Sequence, residues 1–280
     1  MKTRFAPSPT GSPHLGSLRT AYQNWLAARS TGGSFVVRID DTDKSRSKAI
    51  HTKEIVSMLG HFGLDYDDLV HQSDRIDIYN SYIDRLIADG WASDNGYGVV
   101  LSDLRGVDLD HWTDGIAGQI CISDTDKSIA GNKILRKQDG TPTYNFATVI
   151  DDIELGIDCV IRGKDHTTNT SFQAMLFAAL GADLPDFYHV GLIMHEGRKL
   201  SKRDDGLSLD ELMKSYHPDA ILNCVARLGW SPTTDDKTTK LLPKDRMIEM
   251  FWGKGKLRNN NANFDLDKLK AWDRKYRARA

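Results

Sequence analysis

Two hundred and eighty residues allow one large domain or two modest ones, and 40% apolar with 27% charged residues is the composition of a folded chain, which excludes wholesale disorder. No apolar run approaches the ~18–20 residues that cross a bilayer, and Met1–Pro7 has no apolar h-region. Nothing therefore directs the chain to a membrane or to secretion, and a cytoplasmic location is expected. The net charge of −2 hides an asymmetry: residues 233–280 carry 13 lysines and arginines against 7 acidic residues. A basic end on an acidic body suits an anionic partner such as nucleic acid, the plain alternative being a solvated face. Cys121, Cys159 and Cys224 form no C-x₂-C pair, so no zinc knuckle is expected and buried, inert thiols are.

In chain order the pattern alternates strand and helix, the signature of an α/β protein with a parallel sheet. Thr3–Ala6 reads as a strand, followed by a Pro/Gly/Ser-rich loop to Gly16. From Leu18 the positions Leu18, Ala21, Tyr22, Trp25 and Leu26 keep helical spacing until Gly32-Gly33. Ser34–Ile39 is β-branched and ends in the acidic turn Asp40–Asp43. Ile55, Met58, Leu59 and Phe62 mark a second helix, and a third starts near Ser73 and stops at Gly90. Between Trp91 and Gly131 only short apolar runs occur, which predicts an insertion outside the main sheet. The rhythm resumes with strands at Ile134–Arg136, Cys159–Arg162 and Tyr188–Met194 and a helix over Ser171–Leu180. Ser208 and Glu211 form a capping-box pair, and Pro218 suits a first helical turn that Gly229 closes.

Two loops carry chemistry. Ala6–Gly16 (APSPTGSPHLG) joins the first strand to the first helix, where small residues let backbone approach a phosphate and the helix end supplies N–H donors. His14 on that turn is a candidate donor to phosphate oxygens. Lys199-Leu200-Ser201-Lys202-Arg203 places three cations in one loop that can stabilise charge on a transferring phosphoryl group. Either loop alone is an ordinary surface sequence.

Together, F-A-P-S-P-T-G-x-x-H-L-G and the later K-L-S-K-R resemble the paired signature of class I aminoacyl-tRNA synthetases, and specifically the glutamyl-tRNA synthetase family. Arg38–Asp43 (RIDDTD), Gln72–Arg75, Asp139–Ala147, Val160–His166 and Leu228–Pro232 carry the resemblance over nearly the whole chain. It implies a Rossmann-type doubly wound parallel sheet in two catalytic halves, 1–91 and 132–206. A reduced acceptor-binding insertion at 92–131 and a small, mainly helical stem-contact-like segment at 207–280 complete the implied organisation, a form lacking the family's anticodon-binding domain. The implied activity is attack of the L-glutamate α-carboxylate on the α-phosphorus of ATP, which brings Mg2+, and transfer to tRNA bound on its acceptor and D-arm side, by a monomer without zinc.

Residue by residue, the resemblance implies that His14, Lys199 and Lys202 are catalytic. Pro9, Thr10, Gly16 and Ser201 would join them in binding ATP, and Arg4, Ser8, Asp40, Tyr144 and Arg162 would bind glutamate. A planar guanidinium fork suits a side-chain carboxylate. Asp40 departs from the family pattern, which has Glu at the position that reaches the α-ammonium group. Three alternatives accompany this expectation: a glutamyl-queuosine tRNA(Asp) synthetase-type enzyme, an amino-acid-activating enzyme with a non-tRNA acceptor, and a non-catalytic synthetase-like binding module.

Overall fold

Strand β1 (Lys2–Phe5), helix α1 (Leu15–Ser30), strand β2 (Ser34–Ile39), helix α2 (Ala49–His61), strand β3 (Asp68–His71) and helix α3 (Ile76–Ala88) open the fold as successive β-α units. They are seen in a computed structural model that describes residues 1–102, 104–200, 207–232, 241–252 and 255–279. Strand β2 runs parallel to β1 on one side, Lys2 opposite Ser34 through Phe5 opposite Val37, and to β3 on the other. Helix α1 begins three residues before the apolar spacing predicts, because His14 rather than an apolar residue sets its start. A short turn of 3₁₀ helix over Gln72–Asp74 precedes α3, so the predicted helix near Ser73 is two elements.

The middle of the chain contains strands β4 (Ala92–Asp94), β5 (Gly98–Leu101), β6 (His111–Asp114) and β7 (Gly118–Cys121) and helix α4 (Asp124–Ala130). Strand β8 (Ile134–Lys137), helix α5 (Tyr144–Glu154), strand β9 (Cys159–Gly163), helix α6 (Thr167–Ala179) and strand β10 (Asp186–Val190) follow. The main sheet has seven strands in the order β3-β2-β1-β9-β10-β6-β7. The expectation that Trp91–Gly131 lies outside it is corrected: the β6–β7 hairpin extends the sheet, with β6 parallel to β10 and β7 antiparallel to β6. Only β4 and β5 stand apart, in a separate sheet of order β4-β5-β8, so β8 belongs with them and not with the main sheet. Four-residue strands at an edge leave too weak a period to be told from loop, and their pairing partner lies about seventy residues away. Cys121, at the end of β7, is exposed, contrary to the expectation of three buried thiols, while Cys159 and Cys224 are buried.

The first six strands in spatial order are parallel, and the order reverses between β1 and β9. In a doubly wound sheet ligands bind at such a switch point, beyond the carboxyl ends of the strands. Side-chain alternation then decides what faces it. In β2, Phe35, Val37 and Ile39 enter the core under α1, whereas Val36 packs on the opposite face with Phe146 of α5. Arg38 shares the parity of Val36, Arg4 alternates with Phe5, and Arg162 shares the parity of Val160. Three arginines from three neighbouring strands thus point to the α5 side of the sheet.

The remainder comprises β11 (Ile193–His195), β12 (Arg198–Lys199), α7 (Leu209–Ser215), α8 (Pro218–Ala226), β13 (Trp230–Pro232), α9 (Lys244–Phe251), β14 (Gly255–Leu257), β15 (Ala262–Asn263) and α10 (Leu266–Arg277). The single strand expected over Tyr188–Met194 is broken at Gly191-Leu192, and β11 pairs instead with β12 and β15. The capping box of Ser208 and Glu211 and the first-turn position of Pro218 are present as read. The basic C-terminal segment is no appended tail: Met247, Met250, Phe251, Leu269 and Trp272 are buried in the core that contains α1. No described helix is long and apolar enough to cross a membrane.

Candidate active site

The first part of loop Ala6–Gly16 is fixed by two backbone bonds. Asp40 N–H donates to the Pro7 carbonyl and Lys48 N–H to that of Pro9, each at 3.0 Å. These bonds hold the start of the loop against the end of β2 and the N-cap of α2, so the placement of β2 and α2 sets where the loop sits. Ser8 and Thr10 are exposed on it, whereas Pro9 is buried and lines a separate depression with Asp41 and Lys48 rather than the main cleft.

His14 is the N-cap of α1. Its Nδ1 accepts from the Ser17 N–H at 3.2 Å while Ser17 Oγ accepts from the His14 N–H at 3.3 Å, a reciprocal capping box. An Nδ1 that accepts a hydrogen bond carries no proton, so the neutral ring carries its proton on Nε2 and presents an N–H donor. Gly16 is required beneath this ring: a Cβ there would stand 2.8 Å from His14 Cε1. Ser17, absent from the sequence-level set of site residues, is what orients His14; a Ser three positions after a loop histidine was the available signal.

The exposed His14 stands on the wall of a cleft of ≈ 720 Å³ with Thr10, Gly16, Asp165, Leu200 and Leu209. Arg19, buried one turn into α1, donates to the carbonyls of Gly191 at 2.6 Å and Leu228 at 3.3 Å, clamping the segment after β10 and the end of α8 to the helix. The β11–β12 hairpin pairs Met194 with Lys199 and delivers Leu200 to this cleft. Ser201 and Lys202, and the side chain of Lys199, lie outside the described residues.

A second cavity of ≈ 310 Å³ adjoins the first across Thr10–His14 and is walled by Arg4, Ser8, Arg38, Tyr144 and Arg162. Its floor is a buried charge cluster. Asp152 Oδ1 accepts from Arg38 Nη1 at 2.7 Å and from Arg4 Nε at 3.2 Å, and Arg38 Nε donates to Asp40 Oδ1 at 2.7 Å. Behind them, Asp151 accepts from Arg75 at 2.7 Å, Gln72 at 2.8 Å and Tyr79 at 2.9 Å. Burial alone would push Asp152 up, but the two guanidiniums outweigh it and hold its carboxyl below the ordinary range. For Asp40 burial wins over Arg38, and its pKa is pushed up to about 6.

Arg162 differs from Arg4 and Arg38. It is 6% exposed, and its hydrogen-bond partners are neutral: Thr170 Oγ1 at 2.6 Å, Gln173 Oε1 at 2.7 Å and His189 Nε2 at 3.2 Å. Among the described residues it makes no ion pair. Burial lowers its pKa to about 10. A buried guanidinium bonded only to neutral acceptors is costly unless an anion completes it. Tyr144, first residue of α5, stands over this cavity with its hydroxyl 3.5 Å from His166 Nδ1, and burial lowers the His166 pKa to about 4, keeping that ring neutral.

The structure therefore brings Arg4, Ser8, Thr10, His14, Gly16, Tyr144 and Arg162 around two communicating cavities. Asp40 sits on a neighbouring wall shared with Ser8, Thr10 and Tyr144. Arg38 and Asp152 are not among the site residues expected from the sequence, although an arginine in the apolar strand SFVVRI and two adjacent acids in the apolar helix YNFATVIDDIE are visible signals. Among the described residues no cluster of three or more His, Cys, Asp or Glu forms a metal site.

Residues 1–95 and 105–271 match the family described as tRNA synthetases class I (E and Q), catalytic domain. A glutamate–tRNA ligase of Nitratidesulfovibrio vulgaris is 39% identical over 302 residues, covering 95% of this chain and 64% of that protein. Glutamate–tRNA ligase 1 of Wolinella succinogenes is 41% identical over 271 residues, 82% of this chain and 57% of that protein. Among solved structures, a glutamate tRNA ligase of Elizabethkingia meningosepticum in complex with its amino acid superimposes with a TM-score of 0.87 at 28% identity, covering 100% of this chain and 70% of that one. The chain thus spans about three-fifths of the length of these curated relatives.

Proposed function

The chain belongs to the class I tRNA synthetase family of the glutamate and glutamine type, through its catalytic domain, and on that premise we propose that it activates L-glutamate with ATP and passes the glutamyl group to tRNA. The observation that carries the choice of amino acid is Arg162. It is a buried fork without an acidic partner among the described residues, in a cavity of ≈ 310 Å³ that opens on the His14 cleft. The side-chain carboxylate of glutamate supplies the missing charge, and a side-chain amide would leave it unmet.

With that carboxylate on Arg162 and Arg4, Ser8 and Tyr144 flank the backbone of the amino acid and Asp40 offers the anion for its α-ammonium group. The α-carboxylate then faces Thr10–His14, the segment common to both cavities. ATP in the larger cleft lays its phosphates against the first turn of α1, where N–H groups and the His14 Nε2–H donate. The α-carboxylate oxygen attacks the α-phosphorus, the bond to the bridging oxygen breaks, and pyrophosphate leaves. The protein contributes positioning and donors to growing negative charge. Mg2+ enters with ATP as part of the substrate. Lys199, Ser201 and Lys202 complete this proposal as the cations and hydroxyl that meet the departing phosphates. A cytoplasmic setting fits these substrates.

Glutamate-dependent ATP–pyrophosphate exchange, with and without total tRNA, tests the proposal. Exchange with glutamate that is much weaker with glutamine and aspartate is expected. No exchange with any of the three, with tRNA present, contradicts it.

A further inference from the structure

Behind Arg162 a chain of buried groups runs to the edge hairpin. We infer that His189 and Asp114 form a positioning relay that holds the Arg162 fork for its carboxylate ligand, so that a hairpin read from sequence as an insertion sets the amino-acid site from behind. The inference rests on Arg162 as the carboxylate-binding group of the proposed reaction.

Asp114, last residue of β6, is saturated with donors. Its Oδ1 accepts from the N–H groups of Ile116 at 2.8 Å and Ala117 at 2.7 Å, and its Oδ2 from the backbone N–H of His189 at 3.0 Å and His189 Nδ1 at 2.6 Å. Burial alone would raise its pKa, but the bonds from His189 and these amides hold it below the ordinary range, so it stays ionised. An ionised carboxylate can only accept, and His189 Nδ1 must therefore carry the proton. Burial, together with the nearby Arg162 and Arg4 charges, favours the neutral ring despite the pull of Asp114. In that tautomer Nε2 is an acceptor, and it lies 3.2 Å from Arg162 Nε and 2.8 Å from Thr170 Oγ1. With the wrong tautomer an N–H would oppose the Arg162 N–H and turn the fork away.

The parity of the sheet builds this line. Asp114 and His189 lie on the α5 side with Arg162, and Trp112 packs edge-on against His189 with centroids 5.5 Å apart, its Nε1–H bonded to Ser171 Oγ at 3.0 Å. None of the three bonds to Arg162 comes from an acid, so its direction depends on neutral acceptors alone.

The test compares His189→Asn with His189→Gln in exchange assays. The Asn amide replaces the Nδ1 end of the ring and keeps the Asp114 bond but removes the acceptor at Nε2. The Gln amide reaches the Nε2 position. His189→Asn is expected to raise KM for glutamate at least tenfold and to leave KM for ATP within twofold, with His189→Gln recovering most of the loss. Equal shifts in both KM values, or wild-type behaviour of both variants, overturn the relay. Nitrogen NMR of the wild-type histidines reads the tautomer without any substitution: a protonated Nδ1 and an unprotonated Nε2 on His189 at pH 7 support it, and the reverse overturns it. If the wild type shows no glutamate dependence the assignment of the ligand fails, and the NMR result alone still decides the relay.

Discussion

Arg38 holds Asp40 at 2.7 Å through Nε and, through Nη1, donates at 2.7 Å to the Asp152 oxygen that also receives Arg4. One carboxylate of α5 therefore links Arg4, proposed to meet the amino-acid side chain, to Asp40, proposed at its α-ammonium end. Neither end can move without the other, because all four groups are buried.

Replacing Asp152 by Asn removes the counter-charge of two buried guanidiniums. Breaking such a cluster from one side is expected to destabilise the fold by about 3–5 kcal/mol. Chemical denaturation measures this, and a loss below about 1 kcal/mol would show that water or another group compensates.

Asp40 gives a pH dependence. Its pKa is pushed up to about 6 by burial, above the ordinary 3.8. In the fold it holds a proton that the unfolded chain releases, so between about pH 4 and 6 its own contribution to stability falls as pH rises, and above 6 that contribution is constant. In the proposed site, binding of the α-ammonium group needs the ionised form. The kcat/KM for glutamate is expected to fall about tenfold per unit below pH 6 in the wild type and to lose that slope in Asp40→Asn. A slope that survives in the variant would assign the titration elsewhere.

His14 has two separable roles, cap and donor. His14→Asn keeps an N-cap acceptor for Ser17, while His14→Ala forfeits it and is expected to cost about 1 kcal/mol in stability. Both variants lose the Nε2–H donor, and both are expected to lower the exchange rate by a factor on the order of 10²–10³. An active His14→Asn would confine the residue to capping.

The sequence made the strand–loop–helix around His14 legible because its signals are local: an apolar strand, a Pro/Gly loop and a 3.6-residue spacing. The face of the sheet was legible in principle, since the parity of Arg4, Arg38 and Arg162 follows from counting along each strand. What opposes those arginines was not. Asp152 meets Arg38 across 114 positions and Asp114 meets His189 across 75, and no local pattern encodes such pairs. The β6–β7 hairpin joins the main sheet through an equally distant pair, Asp114 opposite Phe187.

The basic C-terminal helix offers a test of nucleic-acid contact that spares the core. Arg274 and Lys275 are exposed on α10, whereas its Leu269 and Trp272 are buried. Changing both cations to Gln is expected to weaken tRNA binding and to reduce the slope of log affinity against log salt by up to about 2, at roughly 0.9 per phosphate contact. An unchanged slope would make this helix face a solvated surface.

In the proposed reaction, glutamate activated beside Arg162 is passed to the 3′ end of tRNA. Its most direct measurement is transfer of labelled L-glutamate to total tRNA with ATP, followed by ribonuclease A digestion, which frees a 3′-terminal adenosine. Label released as glutamyl-adenosine, and lost when Arg162 is changed to Ala, is the predicted result. Label retained on an internal oligonucleotide, or none on RNA at all despite glutamate-dependent exchange, would contradict it.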